Sequence, residues 1–310
     1  MPRTLVVGCG FIGSHVVTTL GRSGEPPRVL TRSRPVEPVA AAVAPGELVL
    51  GDAGEPALLE RALSGVERVA YCAGGLLPTA SERDPQRDRE LTMGPIEALL
   101  KALRRRPGVT LVYLSSGGTV YGDPARLPAR EGDPTVPIST YGRIHLDCEE
   151  AIEAARRETG LRSRILRCAT VYGEHQAPDR GQGAVVTFLD RIERGVPIDL
   201  FGDGGTIRDY VYAGDVAAVV AALLGSAEGP PVLNVGTGVG TSLLALLHLT
   251  EAEVGREAKV VRNPARGFEV RQIVLDTTAL RKVVALEPTP LAEGIRRTHR
   301  WLAARSGARV

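Results

Sequence analysis

The chain has 310 residues, 43% hydrophobic and 24% charged, the proportions of an ordinary globular protein, and its length suits one large α/β domain with a smaller one appended. A formal net charge of +2 without any basic block argues against nucleic acid or an anionic membrane surface as a partner. The most apolar stretch, residues 216–224, is far short of the roughly 20 residues that a membrane helix needs.

The first half alternates short apolar runs with helical patterns, which predicts βαβ units around a parallel sheet. Strands are expected at 4–7, 28–31, 47–50, 68–72, 109–115 and 163–168. Between them, helices are expected at 11–22, 55–63, 86–106 and 138–158, with Gly24 and Gly160 as stops. Pro95 inside the third helix predicts a kink or a late start there. After Gly173 the pattern loosens, with helices expected at 184–194, 215–224, 242–254 and 291–304 and a short strand at 232–235 that could return to the main sheet. The expected fold is a Rossmann-type doubly wound parallel sheet with a smaller C-terminal α/β substrate lobe. The dinucleotide-binding domain takes residues 1–172, completed by about 212–236, and the lobe takes 173–211 and 237–310.

No signal-peptide pattern opens the chain, and Cys9, Cys72, Cys148 and Cys168 have no metal-ligand spacing. Reduced thiols, a cytoplasmic protein and no bound metal are expected.

The first predicted strand runs into Gly8-Cys9-Gly10-Phe11-Ile12-Gly13 and then directly into a helix. A pyrophosphate needs backbone N–H groups that it can approach closely, at a helix end whose dipole favours negative charge. Glycines remove the Cβ atoms that would block the approach, so Gly8, Gly10, Phe11, Ile12 and Gly13 are expected to bind a nicotinamide dinucleotide. Ala73 and Gly74, after the fourth strand, are placed on the same cofactor. At the end of the second strand an acid would suit NAD and an arginine NADP; the chain reads Thr31-Arg32-Ser33-Arg34, which leans towards NADP. Asp52, after the third strand, either receives the adenine amino group or simply closes a turn.

Three further segments carry a resemblance. They are Leu114-Ser115-Ser116-Gly117-Gly118-Thr119-Val120-Tyr121-Gly122, Tyr141-Gly142-Arg143-Ile144-His145, and 202–212 with its Arg208-Asp209-Tyr210 core. With the Gly-Phe-Ile-Gly-Ser-His start and Pro264-x-Arg266, the chain resembles the extended short-chain dehydrogenase/reductase family, above all its nucleotide-sugar epimerases and dehydratases of the UDP-glucose 4-epimerase type. The resemblance implies hydride transfer at C4 of a nucleotide-activated hexose, with Tyr141 as base and Arg208 and Arg266 on the substrate diphosphate. Thr170 falls where the family often has a substrate-side Asn, and Gln182 and Val185 fall where it lines the nucleobase. A homodimer is implied, paired through helices 86–106 and 138–158.

The departures are equally specific. The family has a lysine one turn after the tyrosine; here that position is His145. A free tyrosine has a pKa of about 10 and needs a nearby cation to act as base, and a free histidine, at about 6.5, would be only partly charged. Gly117 stands where the helper Ser or Thr would sit, leaving Ser116 or Thr119 to donate. Epimerisation is the first expectation. An NADPH-dependent 4-ketoreductase and a cofactor-binding protein with weak or no turnover remain alternatives.

Overall fold

The computed structural model describes residues 3–178, 183–226 and 229–307; Gln182 lies outside them. Seven parallel strands form the main sheet: β1 (Arg3–Val7), β2 (Arg28–Thr31), β3 (Leu48–Leu50), β4 (Val66–Tyr71), β5 (Thr110–Ser116), β6 (Arg162–Cys168) and, far along the chain, β10 (Val232–Val235). Their order is β10-β6-β5-β4-β1-β2-β3, so the chain reverses direction across the sheet between β1 and β4. In such a sheet a ligand crevice opens beyond the carboxyl ends of those two strands.

Alternation within β1 explains the two cores. Val6 faces a layer built with Val16, Leu20, Val216 and Val220 from α1 (Phe11–Arg22) and α7 (Ala213–Leu224). Leu5 and Val7 face the other layer, built with Leu59, Leu99 and Ile152 from α2 (Pro56–Ala62), α4 (Pro85–Leu103) and α5 (Thr140–Thr159). A strand covered on both faces must be apolar throughout, which is why these strands read as unbroken runs.

Two helical details position the site. A short helix, α3 (Pro78–Arg83), precedes α4, and α4 starts at Pro85 rather than at Pro95. Asp84 caps it by accepting from Arg87 N at 3.0 Å, a start strong enough for the helix to run on through Pro95. α5 starts two residues later than expected because Ser139 is its cap, its hydroxyl accepting from Gly142 N at 3.1 Å. Gly160, with φ +70°, ends it in the left-handed conformation that glycine adopts most cheaply.

The second lobe has its own sheet. β7 (Thr170–Tyr172), β11 (Gly240–Ser242) and β13 (Gln272–Ile273) all pair with β9 (Ile207–Tyr212), and β8 (Ile198–Phe201) pairs with β12 (Val260–Asn263). Helices α6 (Ala184–Arg194), α8 (Leu243–Val254) and α10 (Leu291–Gly307) close a third core around Tyr172, Phe188, Leu246 and Ile295, while α9 (Thr278–Val283) packs near β10. Among the described residues no helix is long and apolar enough to cross a membrane.

Candidate active site

The glycine turn sits at the predicted crevice. Gly8 N donates to Leu30 O and Cys72 N donates to Val7 O, both at 2.8 Å, so β1 is tied to both neighbours as it ends. Gly8 has φ +88°, and a Cβ there would lie 2.6 Å from Ala73 N. A Cβ on Gly13 would lie 1.9 Å from Gly8 O. Both positions therefore require glycine. Gly10 differs: nothing lies within 4 Å of where its Cβ would be. It caps α1, which has no side-chain cap and no acid in its first turn. The N–H groups of Phe11, Ile12 and Gly13 are thus left for an anion, and the cradle fits a dinucleotide pyrophosphate. Gly74 adjoins it and is exposed, while Thr31 is buried with its carbonyl accepting from Gly51 N at 3.0 Å. Arg32 and Arg34 are exposed past β2. Asp52 closes a local turn, with Oδ1 accepting from Gly54 N at 2.7 Å.

Tyr141 and His145 lie one turn apart on α5, their ring centroids 4.4 Å apart. Tyr141 is half-buried; His145 is 6% exposed, and its Nδ1 lies 3.1 Å from the Tyr113 hydroxyl. Burial pulls His145 down to about 4 against the opposing pull of the Asp88 carboxylate. The imidazole is therefore neutral at pH 7, and the cationic role considered from the sequence is not what this environment favours. Burial, reinforced by Asp88, pushes the Tyr141 phenol up.

The turn after β5 meets the start of α5. A Cβ on Gly142 would touch Thr119 O at 2.9 Å, so this glycine lets the turn pack beside Tyr141. Gly117 is equally constrained, because a Cβ there would lie 2.7 Å from Arg167 O and from Leu275 Cδ1. A helper hydroxyl cannot be carried at 117 without moving backbone. Thr119 Oγ1 donates to Ser116 O at 3.3 Å, whereas Ser116 Oγ makes no hydrogen bond among the described residues. Thr170 approaches the same turn, its Oγ1 3.9 Å from the Cβ position of Gly118.

Thr170 is in register with Tyr210 on β9, two residues from Arg208. Arg208 forms no ion pair among the described residues; burial pulls its guanidinium down, and one nitrogen donates to Ile207 O at 2.9 Å. Arg266 stacks 3.6 Å over the Phe201 ring and pairs with Glu269 at 3.1 Å. Glu269 also acts electrostatically on Arg208, so both arginines belong to one charged neighbourhood. Asp123 also acts on Arg208, and the two guanidinium forks suit a diphosphate.

The model of the NAD dependent epimerase/dehydratase family matches residues 4–236. The chain belongs to this family. Among similar solved structures, the UDP-glucose 4-epimerase of Thermotoga maritima with UDP-glucose is 30% identical, covers 98% of this chain and 99% of that one, and superposes with a TM-score of 0.89. The Thermus thermophilus UDP-glucose 4-epimerase with NAD is 31% identical, with coverages of 97% and 99% and a TM-score of 0.88. The dTDP-6-deoxy-L-talose 4-dehydrogenase (NAD(P)(+)) of Kitasatospora kifunensis is 31% identical over 299 residues, covering 93% of this chain and 92% of its own.

Around the candidate site lie residues that the sequence did not single out. Asp88 is 1% exposed, and its Oδ1 accepts from Leu76 N at 2.8 Å and from Thr92 Oγ1 at 2.9 Å. It therefore ties the loop after β4 to α4. Its signal was present: positions 88, 92, 96, 99 and 103 form the buried stripe of α4, and an acid on that stripe is out of place. Glu149 and Arg167 form a buried pair at 2.7 Å beneath α5, with Ser115 Oγ donating to Glu149 at 2.5 Å. A cavity of about 400 Å³ opens among α3, α4 and α5, but neither Tyr141 nor His145 lines it.

Proposed function

We propose that this protein interconverts C4 epimers of a nucleotide-activated hexose, with UDP-glucose as the first substrate to test. The observation that carries the reading is Tyr141, set beside the 116–119 turn at the start of α5 in a chain whose glycine cradle fits a dinucleotide. A nicotinamide dinucleotide held over the N–H groups of Phe11, Ile12 and Gly13 would supply reversible hydride chemistry at C4. Tyr141 takes the C4 hydroxyl proton, and the uncommitted Ser116 hydroxyl or Thr119 holds the same oxygen. His145 supports Tyr141 as a neutral hydrogen-bond donor. Arg208 and Arg266 grip the diphosphate, which anchors the nucleotide while the 4-keto sugar turns its other face. Thr170 contacts the sugar from β7.

The exposed Arg32 and Arg34, with no acid at the end of β2, support NADP. Residues 1–172 with about 212–236 form the dinucleotide half, and the remainder form the substrate half. Two copies pair through α4 and α5. The same two arginines, and the 4-dehydrogenase relative that takes NAD(P), favour a second reading: a 4-ketoreductase working in one direction.

The test is incubation of purified protein with UDP-glucose and no added cofactor, followed by chromatography for the second epimer and release of the bound dinucleotide by denaturation. Appearance of UDP-galactose supports epimerisation. Failure to form it, with stoichiometric NADPH oxidation on a 4-keto-6-deoxy nucleotide sugar, replaces it with the reductase.

A further inference from the structure

His145 replaces a strong cation, and what it offers instead depends on its tautomer. A neutral imidazole has one protonated and one bare nitrogen, and the hydrogen bond made at one of them fixes the role of the other. The partner here is Tyr113 in β5, beneath α5, its hydroxyl 3.1 Å from Nδ1 and its ring centroid 6.4 Å from the imidazole. Both side chains are buried. Tyr113 stays protonated, since burial raises its phenol well above the usual value. It therefore has a proton to place. The alternative recipient is Cys148, a weak acceptor whose own Sγ lies 3.5 Å from Met93 Sδ, so the imidazole nitrogen is the better one.

We infer that Tyr113 is a positioning residue whose phenolic O–H donates a hydrogen bond to Nδ1 of His145 and so holds the histidine as the Nε2–H tautomer, a neutral donor one turn from Tyr141. The titratable groups at the imidazole are Asp88 from α4, Tyr113 from β5 and Tyr141 on α5 itself, while Cys148 and Glu149 of α5 and Tyr71 of β4 act on Tyr113. Glu149 is committed to Arg167, and burial outweighs the pull of Asp88. The tautomer therefore persists across the neutral range. The functional consequence rests on the proposed role of Tyr141 as base; the tautomer itself does not.

The experiment is long-range proton–nitrogen NMR on protein labelled with ¹⁵N-histidine. The chain has only five histidines, and H145Q removes the signals to be assigned. The expected spectrum has a protonated Nε2 and a bare Nδ1 at His145, unchanged from about pH 6 to about pH 9. Y113F should mix the two tautomers and lower kcat about tenfold, the factor one hydrogen bond typically sets, at unchanged KM. An imidazolium at pH 7, an Nδ1–H pattern in the unaltered protein, or a Y113F spectrum identical to it would overturn the inference. If Y113F does not fold, the spectra of the unaltered protein and H145Q still decide. The expected tautomer in a protein that turns over no nucleotide sugar would support this inference and refute only the epimerase reading.

Discussion

Replacing His145 by lysine tests the electrostatics of the site most directly. As the proposed base, Tyr141 acts only when ionised, and burial holds its phenol above the ordinary value with only a neutral imidazole beside it. The rings stand 4.4 Å apart. At about 6 Å, the outer range at which an opposite charge shifts a pKa, and an effective dielectric of about 20, an ammonium is worth about 2.8 kcal/mol to the phenolate. One pKa unit is about 1.4 kcal/mol, so the phenol should drop by about 2 units. The sign follows: kcat/KM rises with pH as Tyr141 ionises, and a cation that stabilises the phenolate moves the rise to lower pH. H145K should therefore shift the acid limb of kcat/KM down by about 2 pH units and raise activity below it. The assay is initial epimerisation rate at limiting substrate across pH, with thermal unfolding as a check on the fold. A folded H145K protein with an unmoved acid limb would show that Tyr141 is not the titrating base.

Two other substitutions test the scaffold. G117S restores the hydroxyl of the family pattern, yet its Cβ meets Arg167 O at 2.7 Å; a loss of about 1–3 kcal/mol in stability and no gain in kcat are expected. A higher kcat with unchanged melting temperature would show that the turn can relax and that Ser116 is not the donor. E149Q leaves the buried Arg167 without its counter-ion and should cost about 3–5 kcal/mol by denaturant unfolding, while E149L combined with R167M should cost less. Equal losses in the single and double variants would mean that the two groups are not coupled.

The fold was legible because its signals are local or periodic. Strands buried on both faces must be apolar runs, and the glycine turn has to follow the first of them; β1, α1 and the positions of Gly8 and Gly13 came directly from those rules. The second lobe was less legible. β7, β11 and β13 are two or three residues long and exist because β9 lies between them, a long-range pairing that no local pattern encodes. The late start that Pro95 allowed does not occur, since the start of α4 is decided ten residues earlier by Asp84 and Pro85.

Within the candidate site, Tyr141 and His145 lie one turn apart on α5 and Gly142 packs against the turn after β5, but the chemical states of these side chains are set by neighbours the motifs do not mention. His145 reads in sequence as a weakened lysine. Its surroundings make it something else: a buried imidazole with Tyr113 on Nδ1, Tyr141 against its ring, and Asp88 insufficient to charge it. The same holds for Gly117, which reads as a lost helper and is instead forced by the Arg167 carbonyl. Neither departure requires that the chemistry be abandoned. Under the proposed mechanism, together they move proton transfer from a charged relay to one of neutral donors. Such a relay gives the tyrosine no Coulombic help, so the base must be driven by pH or by positive charge brought in with the ligands.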